Sequence, residues 1–531
     1  MLNIMPRAER AMIATPHYLA SSVGSAILQQ GGNAFDAAIA ISAALGVVYP
    51  HMTGLGGDAF FLMHHPATGT FTGFNGSGKS AAQATPEYYK EKGMEAIPQR
   101  GVLSAITVPG MVDTWWQVWE KYGKLPWEKL LDPAIAYAEN GFPISRNLAF
   151  WMRKDEAFIR ASEQLSALYM PDGELLKEGA RLVQKEMAQT LRIIQQGGRE
   201  AFYNGSVMRA IVDSVQRDGG LLQEDDFRNY EGEWVKPLST TYRGYEIYQM
   251  PPNSQGFTAL MMMNMLENIE VSAVPRASAN FYHIMSEVIK KAFRDRDRYL
   301  TDPRFREIPL DRLLSKEYAK QLWDEIQAEP LKASPHLSPA IGQDTAYAAV
   351  VDEEGNAVSF IQSLYFDFGA AYVAGDTGVI MQNRGSFFSL DPACANVLEP
   401  GKRSFHTLIP AMIAKEGKPY MLFGTQGGEG QPQTQLSIMT GVLDYGLSIQ
   451  EAISLPRWVY GRTWGEDGDA LKLEHRLDAE VYARLTKWGH RVEPVNSWDG
   501  IMGQAQGIVI DDRGVMSGAA DPRGDGLAIG W

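Results

Sequence analysis

The chain changes character at Thr345. Upstream runs a linker punctuated by Pro330, Pro335 and Pro339. Proline fixes φ and lacks an N–H, so neither a helix interior nor a central strand can pass through such a stretch. Downstream comes Thr345-Ala346-Tyr347-Ala348-Ala349-Val350-Val351-Asp352, a β-prone apolar run. Glu353-Glu354-Gly355-Asn356 then supplies a turn, and Ala357-Val358-Ser359-Phe360-Ile361 a return strand. A threonine that opens a strand directly after an irregular linker can become a new N-terminus. With the preceding bond cut, its α-amine would lie beside its own hydroxyl, the smallest pairing of a base with a nucleophile. The local pattern alone is better explained by threonine's ordinary preference for strands.

With 531 residues, 45% of them hydrophobic and 21% charged, the chain can bury one large core or several. A net charge of −14 argues against a nucleic-acid or anionic-membrane partner. Cys394 is the single cysteine, so no intramolecular disulfide can form, and no histidine lies near it in sequence. The N-terminal Met1–Arg10 stretch has no apolar core of signal-peptide length, and the run Ala37–Tyr49 is too short to span a bilayer. These features predict a cytoplasmic protein without a membrane segment.

Helices are expected over 17–30, 34–45 (capped by Asn33), 110–121, 126–140, 186–196, 257–267, 279–299, 434–444 and 449–454. Strands are expected over 59–64, 70–74, 244–248, 346–352, 357–363, 419–423 and 506–511. Helices dominate the first part and strands the second. That order fits two domains, or one layered domain whose strands come from both parts.

Gly73-Phe74-Asn75-Gly76-Ser77-Gly78-Lys79-Ser80 formally satisfies the phosphate-cradling P-loop pattern, which makes a nucleotide enzyme the different-class alternative. Its context is wrong: Pro86 follows within two turns, and the preceding strand reads as the second arm of a hairpin. Gly54-Leu55-Gly56-Gly57 and Gly424-Thr425-Gln426-Gly427-Gly428 are tight turns or places where consecutive N–H groups meet an oxyanion. No HExxH motif or Cys/His ligand spacing occurs, so neither a metal nor another cofactor is expected, and the absence of a G-x-S-x-G elbow counts against an α/β-hydrolase.

Together these segments resemble the γ-glutamyltransferase family of N-terminal-nucleophile hydrolases. The markers are Gln30–Ala38, Gly54–Asp58, Val108-Pro109-Gly110, Tyr242–Tyr245, Met250-Pro251-Pro252, Asp344-Thr345, Asp352–Ser359, Gly427-Gly428 and Asp521-Pro522-Arg523. Each is weak alone; their order carries the resemblance and favours Thr345 as a nucleophile. The resemblance implies an α+β fold, a four-layer αββα sandwich built from both halves of a precursor. It implies self-cleavage between Asp344 and Thr345 into chains 1–344 and 345–531 that stay together as a heterodimer. It also implies catalysis by Thr345, an oxyanion hole at Gly427 and Gly428, and Ser363 as a supporting hydroxyl.

Departures from the family pattern concern the substrate. Family members that bind a glutamyl group carry an arginine where this chain has Ser77, in Ser77-Gly78-Lys79-Ser80-Ala81. Tyr365 replaces an asparagine, Phe387 replaces the aspartate that pairs the α-ammonium, and His406-Thr407 replaces a serine pair. Losing both halves of an amino-acid clamp disfavours a γ-glutamyl substrate. Arg384, His406 and Lys79 remain as partners for a lone carboxylate. The pattern is similar to the family's oxamate amidohydrolase branch, which implies a small acid amide; a γ-glutamyl enzyme with a relocated clamp is the alternative.

Overall fold

The computed structural model describes residues 5–328, 330–334, 344–461 and 468–531. Most of the proline-containing linker, residues 335–343, and the side chain of Asp344 lie outside the described residues.

Two seven-stranded antiparallel sheets form the centre. One runs in the order Leu527–Gly530, Met12–Thr15, Asp344–Val351, Ala357–Tyr365, Asp58–His65, Thr70–Gly76, Glu233–Val235. The other runs Arg7–Ala8, Met516–Ala520, Ala505–Ile510, Lys418–Thr425, Ala411–Lys415, Tyr245–Gln249, Leu238–Tyr242. Both draw strands from either side of Thr345, so the helix-rich and strand-rich parts build shared layers.

Alternation along the strands explains the layering. Tyr347, Ala349 and Val351 face the second sheet, where they pack with Met412, Leu422 and Ile508. Ala346, Ala348 and Val350 face the opposite way, onto helix Ala34–Val48 and its neighbours. That helix is buried on every side, as its alanine-rich sequence predicts, and Asn33 closes its N-terminus in a capping box with Asp36. Helices Gly256–Leu266, Ala279–Tyr299 and Gly430–Leu443 cover the outer face of the second sheet. The result is the expected αββα sandwich. No helix among the described residues is long and apolar enough to cross a membrane.

The P-loop pattern resolves as two unrelated pieces. Strand Thr70–Gly76 pairs antiparallel with Asp58–His65 as a hairpin, and the next helix, Pro86–Glu91, begins well after Ser80. The Gly78 N–H, which would face a phosphate, donates to Asp58 Oδ1 at 3.0 Å.

Candidate active site

Thr345 sits at a bulge. Asp344 opposes Tyr365 and Ala346 opposes Gln362, with the register shifting between them, so Thr345 faces the stretch Ser363–Leu364. The hydroxyl-bearing Thr345 and Ser363 are both buried. Ser363 in turn opposes Asp58, the first residue of the next strand.

The second sheet delivers the glycine turn to the same end. The Tyr347 ring lies on Gly424, where a Cβ would come within 2.3 Å of its Cδ2. The Tyr347 hydroxyl bonds Ser359 Oγ at 2.8 Å, and that hydroxyl donates to Ala411 O, whose residue pairs with Phe423. Moving along strand Asp344–Val351 away from Thr345 therefore moves backwards along Lys418–Thr425. The end carrying Thr345 is the end from which Gly427 and Gly428 emerge.

Those glycines lead into helix Gly430–Leu443 with φ of +122° and +50°, a conformation that disfavours any side chain. The Gly427 carbonyl accepts from the Gly430 N–H at 2.6 Å; the Gly428 carbonyl accepts from Gln431 N–H at 3.2 Å and Gln255 Nε2 at 3.1 Å. Each N–H lies opposite the carbonyl of the residue before it. Gln426 O accepts from Thr425 Oγ1 at 2.7 Å and Gly427 O from Gly430 N–H, so the peptide planes carrying the Gly427 and Gly428 N–H groups are both held, at a helix N-terminus where negative charge is favoured. The other glycine loop is a plain turn: Gly57 N–H donates to Gly54 O, and Gly56 and Gly57 pack against the carbonyls of Ile380 and Ser363.

Around Asp58 lies a buried polar constellation. Its Oδ1 accepts from Gly78 N–H and from Gln382 Nε2 at 2.8 Å, and its Oδ2 lies 3.0 Å from His406 Nε2. Burial, reinforced by the nearby Arg384 charge, holds His406 down to about 4, so the ring is neutral at pH 7 with its Nε2–H on Asp58. Arg384 is itself 1% exposed, and its Nε and Nη1 make no hydrogen bond among the described residues. Its guanidinium stacks 4.0 Å from the Tyr365 ring centre. Burial pulls it down to about 10, so it is charged at neutral pH. Asn383 fixes the approach: its N–H donates to Leu364 O and its Oδ1 accepts from Phe366 N–H. A buried, unpaired guanidinium costs several kcal/mol and is suited to a planar anion such as carboxylate.

The remaining sequence-nominated residues divide. Thr407 is buried beside His406, with its carbonyl accepting from Gln255 Nε2. Phe387 meets Phe405 edge-to-face, 4.8 Å between centres, and lies 5.7 Å from the Tyr365 ring. Ser77 is closed into a network with Asn75 and Asn253, next to Gly78 and hence to Asp58. Lys79 departs from expectation: its charged surroundings are Arg403, Arg304, Glu233 and Asp302 rather than Arg384 and His406. Sequence reasoning missed Asp58, Gln382 and Gln255 as site residues. Asp58 closed a recognised marker, and an aspartate after four residues rich in glycine was the one signal available. His283, Glu287 and His490 also converge elsewhere, but Lys290 pairs Glu287 at 2.8 Å and the two imidazoles bond each other, so the group is satisfied within the chain.

The γ-glutamyltranspeptidase family model matches residues 20–531. The glutathione hydrolase-like YwrD proenzyme of Bacillus subtilis is 52% identical over 521 residues, 98% of each chain. The oxamate amidohydrolase proenzyme of Klebsiella pneumoniae is 37% identical over 525 residues, again 98% of each. Among solved structures, the cephalosporin acylase from Bacillus halodurans superposes with a TM-score of 0.92 at 36% identity, covering 100% of this chain and 97% of its own. A layered sandwich that brings a strand-opening threonine, a second buried hydroxyl and a glycine turn to one end thus has full-length relatives, and the chain belongs to the γ-glutamyltranspeptidase family as one of its N-terminal-nucleophile amidohydrolases.

Proposed function

We propose that this protein is a self-processing amidohydrolase that cleaves the amide of a small acid, with Arg384 receiving the substrate's carboxylate and Thr345 attacking its carbonyl. In maturation, the Thr345 hydroxyl attacks the Asp344 carbonyl. The acyl group shifts from nitrogen to oxygen, and water hydrolyses the ester to leave chains 1–344 and 345–531. The freed α-amine, ordinarily titrating at about 7.7–8.0, then serves as the base. It takes the hydroxyl proton as the C–O bond forms and passes it to the departing nitrogen, which leaves as ammonia. The oxyanion is met by the Gly427 and Gly428 N–H groups. Water, deprotonated by the same amine, cleaves the acyl ester and restores the hydroxyl.

The observation that carries the substrate reading is the buried Arg384, with two nitrogens unbonded among the described residues and aromatic Tyr365 and Phe387 beside it. Asp58 supports a second reading, a relocated amino-acid clamp, because a carboxylate lies within electrostatic reach of Arg384. Its hydrogen bonds to Gly78, Gln382 and His406 weigh against its pairing an α-ammonium as well. Specificity constants for ammonia release from oxamate and for hydrolysis of a γ-glutamyl anilide decide between them. A clear preference for oxamate supports the small-acid site, and a preference for the anilide overturns it.

A further inference from the structure

We infer that Gln255 is a positioning residue that sets the spacing between the carboxylate end of the site and its oxyanion donors, an inference that rests on the small-acid reading above. Gln255 immediately precedes helix Gly256–Leu266 and is fully buried. Its own N–H donates to His406 O at 2.9 Å. Its side-chain Nε2 donates to Thr407 O at 2.9 Å and to Gly428 O at 3.1 Å. One side chain therefore straps the His406-Thr407 segment to the Gly427-Gly428 turn.

The orientation of that amide is dictated from behind. Gln255 Oε1 accepts from Arg296 Nη1 at 3.2 Å, and a guanidinium only donates, so the NH2 end must face the two carbonyls. Arg296 is itself fully buried and ion-paired with Glu429, the residue after Gly428. Two adjacent residues of the turn's C-terminal side are thus tied to one arginine, Glu429 directly and Gly428 through Gln255. The neighbouring backbone is zippered as well: His406 N–H donates to Asn253 O and Ser254 Oγ to Leu408 O. Since His406 bonds Asp58 beside Arg384, the strap fixes how far an anchored carboxylate lies from the oxyanion donors, which is a measure of substrate length.

The test uses the self-cleaved enzyme and a ladder of amide acids, oxamate, malonamate and succinamate, together with a γ-glutamyl anilide. Gln255→Glu keeps the acceptor for Arg296 but cannot donate to the two carbonyls; Gln255→Met removes all side-chain bonds at similar volume; Gln255→Asn withdraws the amide. The expected result is kcat lower by about ten- to a hundredfold with KM changed far less, and length discrimination across the ladder compressed by about tenfold. Both quantities within about twofold of wild type in a self-cleaved variant would overturn the inference. Loss of fold in all three variants would also overturn it, in favour of a purely structural role. If wild type prefers the anilide to every ladder member, the small-acid reading fails instead. The Gln255 effect is then read as kcat on the anilide, where a fall supports positioning and no change overturns it.

Discussion

The Arg384 guanidinium lies 4.0 Å from the centre of the Tyr365 ring, and Tyr365 holds a left-handed backbone with φ +88° beneath it. A non-glycine residue in that region carries strain, which is commonly stored where function demands a fixed geometry. The ring stacks on a charge that burial alone would make costly. Arg384→Met should lower kcat/KM for a small acid amide about a hundredfold, mostly through KM, because a charge-assisted bond pair is worth about 3 kcal/mol. Thermal stability should stay level or rise, since a buried charge with two unbonded nitrogens disappears. Arg384→Lys should not rescue binding, as it loses the planar fork. Steady-state kinetics and melting curves of both variants check this.

Self-cleavage is expected to require a hydroxyl at position 345. Thr345→Ala should remain a single chain by mass spectrometry, and Thr345→Ser should cleave, more slowly. Wild-type protein that stays full length under native incubation yet releases ammonia would contradict the mechanism.

His406 predicts a pH effect on stability. Its folded value is depressed to about 4 by burial and the Arg384 charge, against an ordinary value of 6.5. Between those values the unfolded chain binds the proton that the folded chain refuses, so stability rises with pH there and is lost as pH falls from 6.5 towards 4. The slope for one such group is about 1.4 kcal/mol per pH unit. His406→Gln should flatten the stability profile by about one proton over this window, measurable by denaturant unfolding from pH 4 to 7. In wild type, kcat/KM should show no limb from His406 between pH 5 and 8.

The marker Asp521-Pro522-Arg523 predicts a structural lesion rather than a catalytic one. Asp521 bonds Arg457 at 2.8 Å and Arg523 at 3.0 Å, and Arg523 pairs Glu474 at 2.7 Å, all buried. Asp521→Asn leaves two arginines underpaired and should cost about 3–5 kcal/mol. Among molecules that still fold, KM should be unchanged. A melting temperature within a degree or two of wild type would refute the assignment.

Much of the layered fold was readable because its signals are local. The 3.6- and 2-residue periods, Asn33 as a cap and Gly355 in a turn each declare themselves within a few residues. Helix Gly430–Leu443 starts earlier than the expected 434 because Pro432 sits in the first turn, where its missing N–H costs nothing. Strand Met12–Thr15 escaped notice because four buried residues show no alternation. The hydroxyls and glycines of the site stood in recognisable order in the sequence. Asp58 closed one of the markers, but its role in the site stayed hidden, because that arises only when it meets His406 from 348 residues away. Gln255 likewise gains its role from Gly428, 173 residues downstream, and no local pattern encodes such a meeting.

Strand Asp344–Val351 lies between Met12–Thr15 on one side and Ala357–Tyr365 on the other. Its neighbours thus belong one to each side of the bond before Thr345. Severing that bond after folding releases no piece, since each fragment supplies strands the other needs. The order of events then becomes irreversible. An intact chain finds its fold as one molecule, at a rate independent of concentration. Once cut and denatured, the two fragments must find each other again, and the effective concentration that the linker had supplied is gone. Under the proposed self-cleavage, the precursor bond would act as an assembly jig, needed once and then discarded, and the cut protein would owe its persistence to slow unfolding more than to any capacity to reform.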